Sequence, residues 1–242
     1  MPHSNDHIIK SYDTELGRLT GEILRMGELA AKQLDAAIEA VERRDQGVAR
    51  HIVDNDDAID TMEHAINNDV VRLLALRAPM ARDLRAVFAA LRVASDIERI
   101  GDYAANVAKR AIPLSLAAPV APAAGLRRLA TLANAALAEV LEAYRALDAE
   151  RALRVWQGDT RLDEAYTAVF RELLTYMMED PRSITPCTHL LFMAKNIERI
   201  GDHATNIAEN IWYVVHGEPL TLPRHSHDTT TDPDYPHLGN PR

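Results

Sequence analysis

From Tyr12 onward apolar residues recur at Leu16, Leu19, Ile23, Met26, Ala30 and Leu34. These spacings of three and four describe one face of an amphipathic helix that reaches about Arg43. An Asp45-Gln46-Gly47 turn follows, and a second stripe of Ile59, Met62, Ile66, Leu73 and Leu76 predicts a helix that Pro79 ends. A third helix is predicted from about Ala81 to Ile112. Its stripe of Ala90, Val93, Ile97, Ile100, Ala104, Val107 and Ala111 has no polar interruption, so that face must be buried. Pro113 to Gly125, with three prolines among small residues, reads as a linker that cannot continue a helix. Beyond it the plan repeats, with helices from Leu126 to about Leu147, from about Arg151 to Met178 and from about Ile184 to His216. No segment alternates with period two for long enough to suggest a strand.

The third and sixth stripes belong to one duplicated sentence. Glu98-Arg99-Ile100-Gly101-Asp102 returns one hundred residues later as Glu198-Arg199-Ile200-Gly201-Asp202, each followed by an Asn, at 106 and 206. A constant offset of this kind marks an internal repeat. The expected architecture is therefore all-α, with six long helices in two tandem three-helix bundles, residues 8–112 and 126–217, joined by the Pro/Ala linker 113–125. Residues 218–242, rich in Pro, His, Asp and Thr, have little to bury and are expected to be disordered.

Each helical residue advances by about 100°, so Glu98, Asp102 and Asn106 share a face that lies off the apolar stripe. Stacking an acid over an acid at i,i+4 opposes helix formation by about 0.2–0.5 kcal/mol, and both copies do it. The second helices repeat the pattern, Asp56-x-x-x-Asp60 corresponding to Asp159-x-x-x-Asp163. Adjacent antiparallel helices can bring two such pairs together, and carboxylates in that number suit hard or borderline cations bound through oxygen. The bland reading is a solvated face, with Arg99 and Arg199 forming weak exposed ion pairs. Recurrence of the whole motif favours metal or ligand binding, with Glu98, Asp102, Glu198, Asp202, Asp56, Asp60, Asp159 and Asp163 as candidate ligands. Gly101 and Gly201, costly inside helices, point to close approach of a neighbouring helix. His203 stands where the first copy has Tyr103 and is a possible but nonspecific ligand. Asn106 and Asn206 read equally as supports for a site or as local caps.

A net charge of −9 argues against nucleic acid or an anionic membrane as the main partner. The single Cys187 excludes an internal disulfide and a Cys-pair zinc site, and fits a reducing compartment. No stretch approaches the roughly 18 continuous apolar residues of a membrane span, and the first ten residues lack a signal-peptide core, so a cytoplasmic location is expected. Glu-x-x-His, a Gly-rich phosphate loop, Gly-x-Ser-x-Gly and His-Glu-x-x-His are all missing, and with them any visible nucleophile or di-iron oxidase site.

Pro79-Met80-Ala81-Arg82-Asp83-Leu84-Arg85, Ser95-Asp96-Ile97-Glu98-Arg99-Ile100-Gly101-Asp102 and the second copy from Asn196 to Ala208 together resemble the PhoU family, over about Tyr12 to Gly217. The resemblance implies six helices in two repeats and a non-enzymatic negative regulator of the phosphate-starvation response. Such a protein acts with the ATPase subunit of the Pst phosphate transporter and with a sensor histidine kinase, and is commonly a homodimer. It also implies multinuclear surface clusters of Fe, Mn, Mg or Zn on the eight carboxylates named above. Lys109, facing Glu209 in the alignment of the copies, makes the first site less acidic. Arg82-Asp83-Leu84-Arg85 finds only Arg182-Ser183-Ile184-Thr185 in the second half, which suggests unequal roles for the bundles. Two other classes fit the acidic faces, a metal-dependent phosphoester hydrolase and a metal buffer.

Overall fold

A computed structural model describes residues 3–77, 79–120 and 123–222, with side chains from residue 14 onward. The helices are α1 (His3–Arg43), α2 (Gln46–Asp54), α3 (Asp57–Arg77), α4 (Arg82–Leu116), α5 (Ala123–Ala146), α6 (Ala149–Gly158), α7 (Thr160–Glu179) and α8 (Ile184–His216). No strand occurs among the described residues. They make six rods, because α2 with α3 and α6 with α7 each form one interrupted rod.

Those interruptions differ from the unbroken second and fifth helices expected from the stripes. Asn55 turns its side chain back, its Nδ2 donating to the His51 carbonyl at 2.7 Å, and the run Asn55-Asp56-Asp57 competes with the helical backbone for hydrogen bonds. Gly158 weakens the corresponding place in the second half. In both halves the break stands at the first Asp of the acidic pair, Asp56 or Asp159. The preceding turns also match. Arg44 and Leu147 sit at φ 55° and 49°, and Asp45 and Asp148 then cap the next helix through backbone N–H groups of Gly47, Val48 and Arg151.

The linker is shorter than expected. α4 passes through Pro113 to Leu116, losing one hydrogen bond, because Leu114 is buried and the Arg44 guanidinium donates to the carbonyls of Ser115, at 2.6 Å, and of Ala117. α1 likewise begins at His3 rather than Tyr12, since nothing from Ser4 to Tyr12 breaks a helix. Of the tail expected to be disordered, residues 223–242 lie outside the described residues.

One continuous hydrophobic cluster spans both halves rather than two separate cores. α4 and α8 run antiparallel down its centre. Arg85 donates to the Val214 carbonyl at 3.3 Å near one end, and the Arg110 guanidinium lies 4.1 Å from the Phe192 ring centroid near the other. α1 and α5 pair behind them, with Asn134 Nδ2 donating to the Ala31 carbonyl at 3.3 Å. Rods α2–α3 and α6–α7 flank this central group.

The two motif glycines are what allow the flanking rods to come close. A Cβ at Gly101 would lie 2.6 Å from Ile59 Cδ1, and one at Gly201 would collide with Leu162 Cδ2. Gly17, by contrast, meets nothing within 4 Å. Chemical denaturation should therefore show Gly17→Ala raising stability by about 0.5–1 kcal/mol. Gly101→Val should lower it by about 1–3 kcal/mol through overpacking. Equal effects at the two sites would contradict the close approach of α3 and α4.

Candidate metal centre

The first turn of α3 carries Asp60, where an acid is favoured by the helix dipole, and the contact at Gly101 sets that turn against the middle of α4. One carboxylate oxygen from each of Asp60, Glu98 and Asp102 lies within 4.8 Å of the others, and all three side chains are half-buried. Burial pushes the Glu98 carboxyl above its ordinary range, and the Asp102 charge adds to this while Arg99 opposes it; Asp60 and Glu63 also raise it. Arg99 reaches Asp102 at 3.1 Å and Glu98 at 3.4 Å, but its side chain is mostly exposed, so it screens the pair without neutralising the interior of the site. Three oxygen donors of one charge, drawn together and partly desolvated, suit a hard cation.

Asp56 stands beside this trio rather than within it. Lys109 Nζ lies 3.5 Å from its carboxylate and Gln33 Nε2 donates to it at 3.3 Å. Burial raises the Asp56 carboxyl, an effect that Lys109 and Gln33 oppose. Lys109 thus places a cation beside Asp56, at the edge of the acidic trio.

The second half is built differently. Glu198 is only 5% exposed and Asp163 only 4%, so these acids belong to the interior rather than to a solvated surface. Lys195 Nζ donates to Glu198 at 2.8 Å, and Asp159 is set against the backbone of Gly201. Asp159, Asp163, Glu198 and Asp202 do not converge in the way the first trio does. At the position of Lys109, Glu209 accepts a hydrogen bond from Trp156 Nε1 at 3.0 Å.

Two polar residues that could have joined a site, His203 and Asn206, are occupied elsewhere. His203 Nδ1 lies 2.8 Å from Asp96 and its ring 5.6 Å from that of Tyr103, across the α4–α8 crossing. Asn206 Nδ2 also donates to Asp96, at 3.3 Å. Asp96 was not visible as a site residue in the sequence. The only signal for it was that the copies differ there, Asp96 against Asn196 and Tyr103 against His203. His225, His227 and His237 lie outside the described residues.

An acid whose proton affinity is higher folded than unfolded costs stability once ionised. The cost is absent at pH below its unfolded range and appears as pH rises through that range. Metal-free Glu98→Gln should therefore be more stable than the parent at neutral pH, by about 0.2–0.5 kcal/mol for removal of one like-charge neighbour. The advantage should vanish as the pH falls through the carboxylate range, which thermal melts across that interval would record.

Comparison with known proteins places these features in a family. Residues 23–111 and 126–211 both match the PhoU domain. The phosphate-specific transport system accessory protein PhoU homolog of Xylella fastidiosa is 58% identical over 228 residues, covering 94% of this chain and 96% of that protein. Its counterpart in Caulobacter vibrioides is 50% identical, covering 90% and 96%. The crystal structure of PhoU from Pseudomonas aeruginosa superposes with a TM-score of 0.81 at 39% identity, over 86% of this chain and all of that one. The phosphate transport system regulatory protein PhoU from Streptococcus pneumoniae gives 0.80 at 32%, over 87% of this chain. The chain belongs to the PhoU family.

Proposed function

We propose that this protein is a negative regulator of the phosphate-starvation response and a modulator of phosphate uptake. It works as a non-enzymatic adaptor between the ATPase subunit of the phosphate-specific transporter and a sensor histidine kinase. The observation that carries this is similarity along almost the whole chain, both repeats included, to accessory proteins of that transport system. The family is one of accessory and regulatory proteins rather than enzymes. No helix of the described residues is long and apolar enough to cross a membrane; in this reading the protein is cytoplasmic and meets the transporter at its ATPase subunit. Residues 8–112 and 126–217 are the two working repeats in this reading, in a protein that dimerises.

Metal binding is the second part of the proposal. Asp60, Glu98 and Asp102, with Asp56 at the edge, would hold one cluster; the corresponding Asp159, Asp163, Glu198 and Asp202 would have to be drawn together by the ions to hold the other. Iron, manganese, magnesium or zinc bound there would neutralise carboxylates that otherwise repel one another, and so tie the flanking rods to α4 and α8. The first trio supports this best, because its carboxylates already converge with no buried cation among them. The unequal partners, Lys109 on one side and Lys195 on the other, suggest that the two clusters differ in affinity.

Deletion of the gene should switch phosphate-starvation reporters on in phosphate-rich medium, and unchanged output would remove the regulatory reading. Elemental analysis of the untagged protein should find metal whose content falls, by the share of the first cluster, in Asp60→Asn/Glu98→Gln/Asp102→Asn while helicity is retained. Metal content unchanged in that variant would place the ions away from the first trio.

A further inference from the structure

The chain has three phenylalanines, and two of them, Phe88 and Phe192, are 49% and 48% exposed. Both lie on the α4–α8 pair. Phe192 on α8 packs under Arg110 of α4, so the two rings are separated by roughly the run of α4 from 88 to 110, about 33 Å at 1.5 Å per residue. Both face away from the core: Val87, Ala89 and Ala90 beside Phe88, and Met193 and Ala194 beside Phe192, take the buried positions. Between the rings, α4 and α8 border an open hollow of about 640 Å³ lined by Arg92, Asp96, Asn206, Asn210 and Tyr213, among others.

The charges along this strip are not those of the whole protein, which carries −9. Arg92, Arg110 and Arg199 make no ion pair among the described residues. Arg110 stacks on Phe192, and Arg199 lies 5.7 Å from the Tyr103 centroid, arrangements that hold the guanidinium plane while leaving its N–H groups for a carboxylate. The acids nearby are engaged, Asp96 by His203 and Asn206 and Glu209 by Trp156.

We infer that the outward face of the α4–α8 pair is a docking surface for an acidic amphipathic helix of a partner protein, anchored by apolar side chains at Phe88 and Phe192. The length of the strip fits a helix of about 22 residues, its two aromatic ends fit apolar anchors, and its free guanidinium groups fit carboxylates between them. A continuous anionic lipid sheet fits less well, since it would reach beyond the strip onto a protein that carries −9 overall. This inference rests on the adaptor reading, to which it adds the contact surface.

The test uses the full-length protein and the purified ATPase subunit of the phosphate-specific transporter, with binding measured by calorimetry. Phe88→Ser/Phe192→Ser and Arg92→Glu/Arg199→Glu, both at exposed positions, should keep parental circular dichroism and bind about tenfold or more weakly. Val71→Ser, an exposed apolar residue on α3, should bind as the parent does. Parental binding by both strip variants would overturn the docking surface and leave the adaptor reading intact. If the parent protein itself fails to bind, both fall. If the strip variants instead lose only self-association by sedimentation, or only binding to phosphatidylglycerol vesicles, the occupant is a second copy or a lipid surface, and the inference is wrong.

Discussion

Ile59 fills the space that a side chain at Gly101 would need, and Leu162 does the same at Gly201. These two contacts decide how close the flanking rods come to α4 and α8. With a methyl group at either position, α3 or α7 would have to move outward, and the acids at its start would move with it. Asp60 meets Glu98 and Asp102 because Ile59, one residue before it, is held against Gly101. The glycine of the repeated motif thus sets the distance over which its acids can act together.

The arrangement stores unfavourable electrostatics in a stable frame. Glu98 is raised by burial and by its acidic neighbours, and Arg99 relieves this only from the solvent side. Such a cluster is tolerated because the surrounding core, continuous across both halves, holds the helices in place whatever the carboxylates prefer. Duplication supplied two copies of the frame, and divergence then altered the polar positions. Lys109 pairs with Asp56, whereas Glu209 receives the indole N–H of Trp156. At the crossing, Tyr103 and His203 occupy equivalent places, and only the histidine reaches Asp96.

Much of the fold was legible because helix burial is periodic. Stripes such as Ile97, Ile100, Ala104 and Val107 belong to one face in any helix, so the six rods and their turns at Asp45 and near Asp148 could be located without coordinates. The breaks at Asn55-Asp56 and Gly158-Asp159 were harder, since a short helical gap leaves the apolar spacing on either side nearly unchanged. Helix through Pro113 was hidden for another reason. The proline removes a single hydrogen bond, and what carries the helix beyond it is burial of Leu114 together with Arg44, about seventy residues away in the chain, which caps the terminal carbonyls of Ser115 and Ala117.

The eight acids could be listed from their spacing, since positions four apart share a helix face by geometry alone. Which of them meet depends on rotation and separation between helices, quantities set by packing and absent from local sequence. Tertiary structure alone gathered Asp60 with Glu98 and Asp102, set Asp56 against Lys109 and buried Asp163 and Glu198. It also left Phe88 and Phe192 exposed, although a phenylalanine in an amphipathic helix would ordinarily be assigned to the core. The sequence by itself determined the helices, their duplication and the identity of the acidic faces, because these follow from near-neighbour periodicity. Tertiary structure decided the neighbours across helices, because close packing fixes distances between residues that the chain keeps far apart.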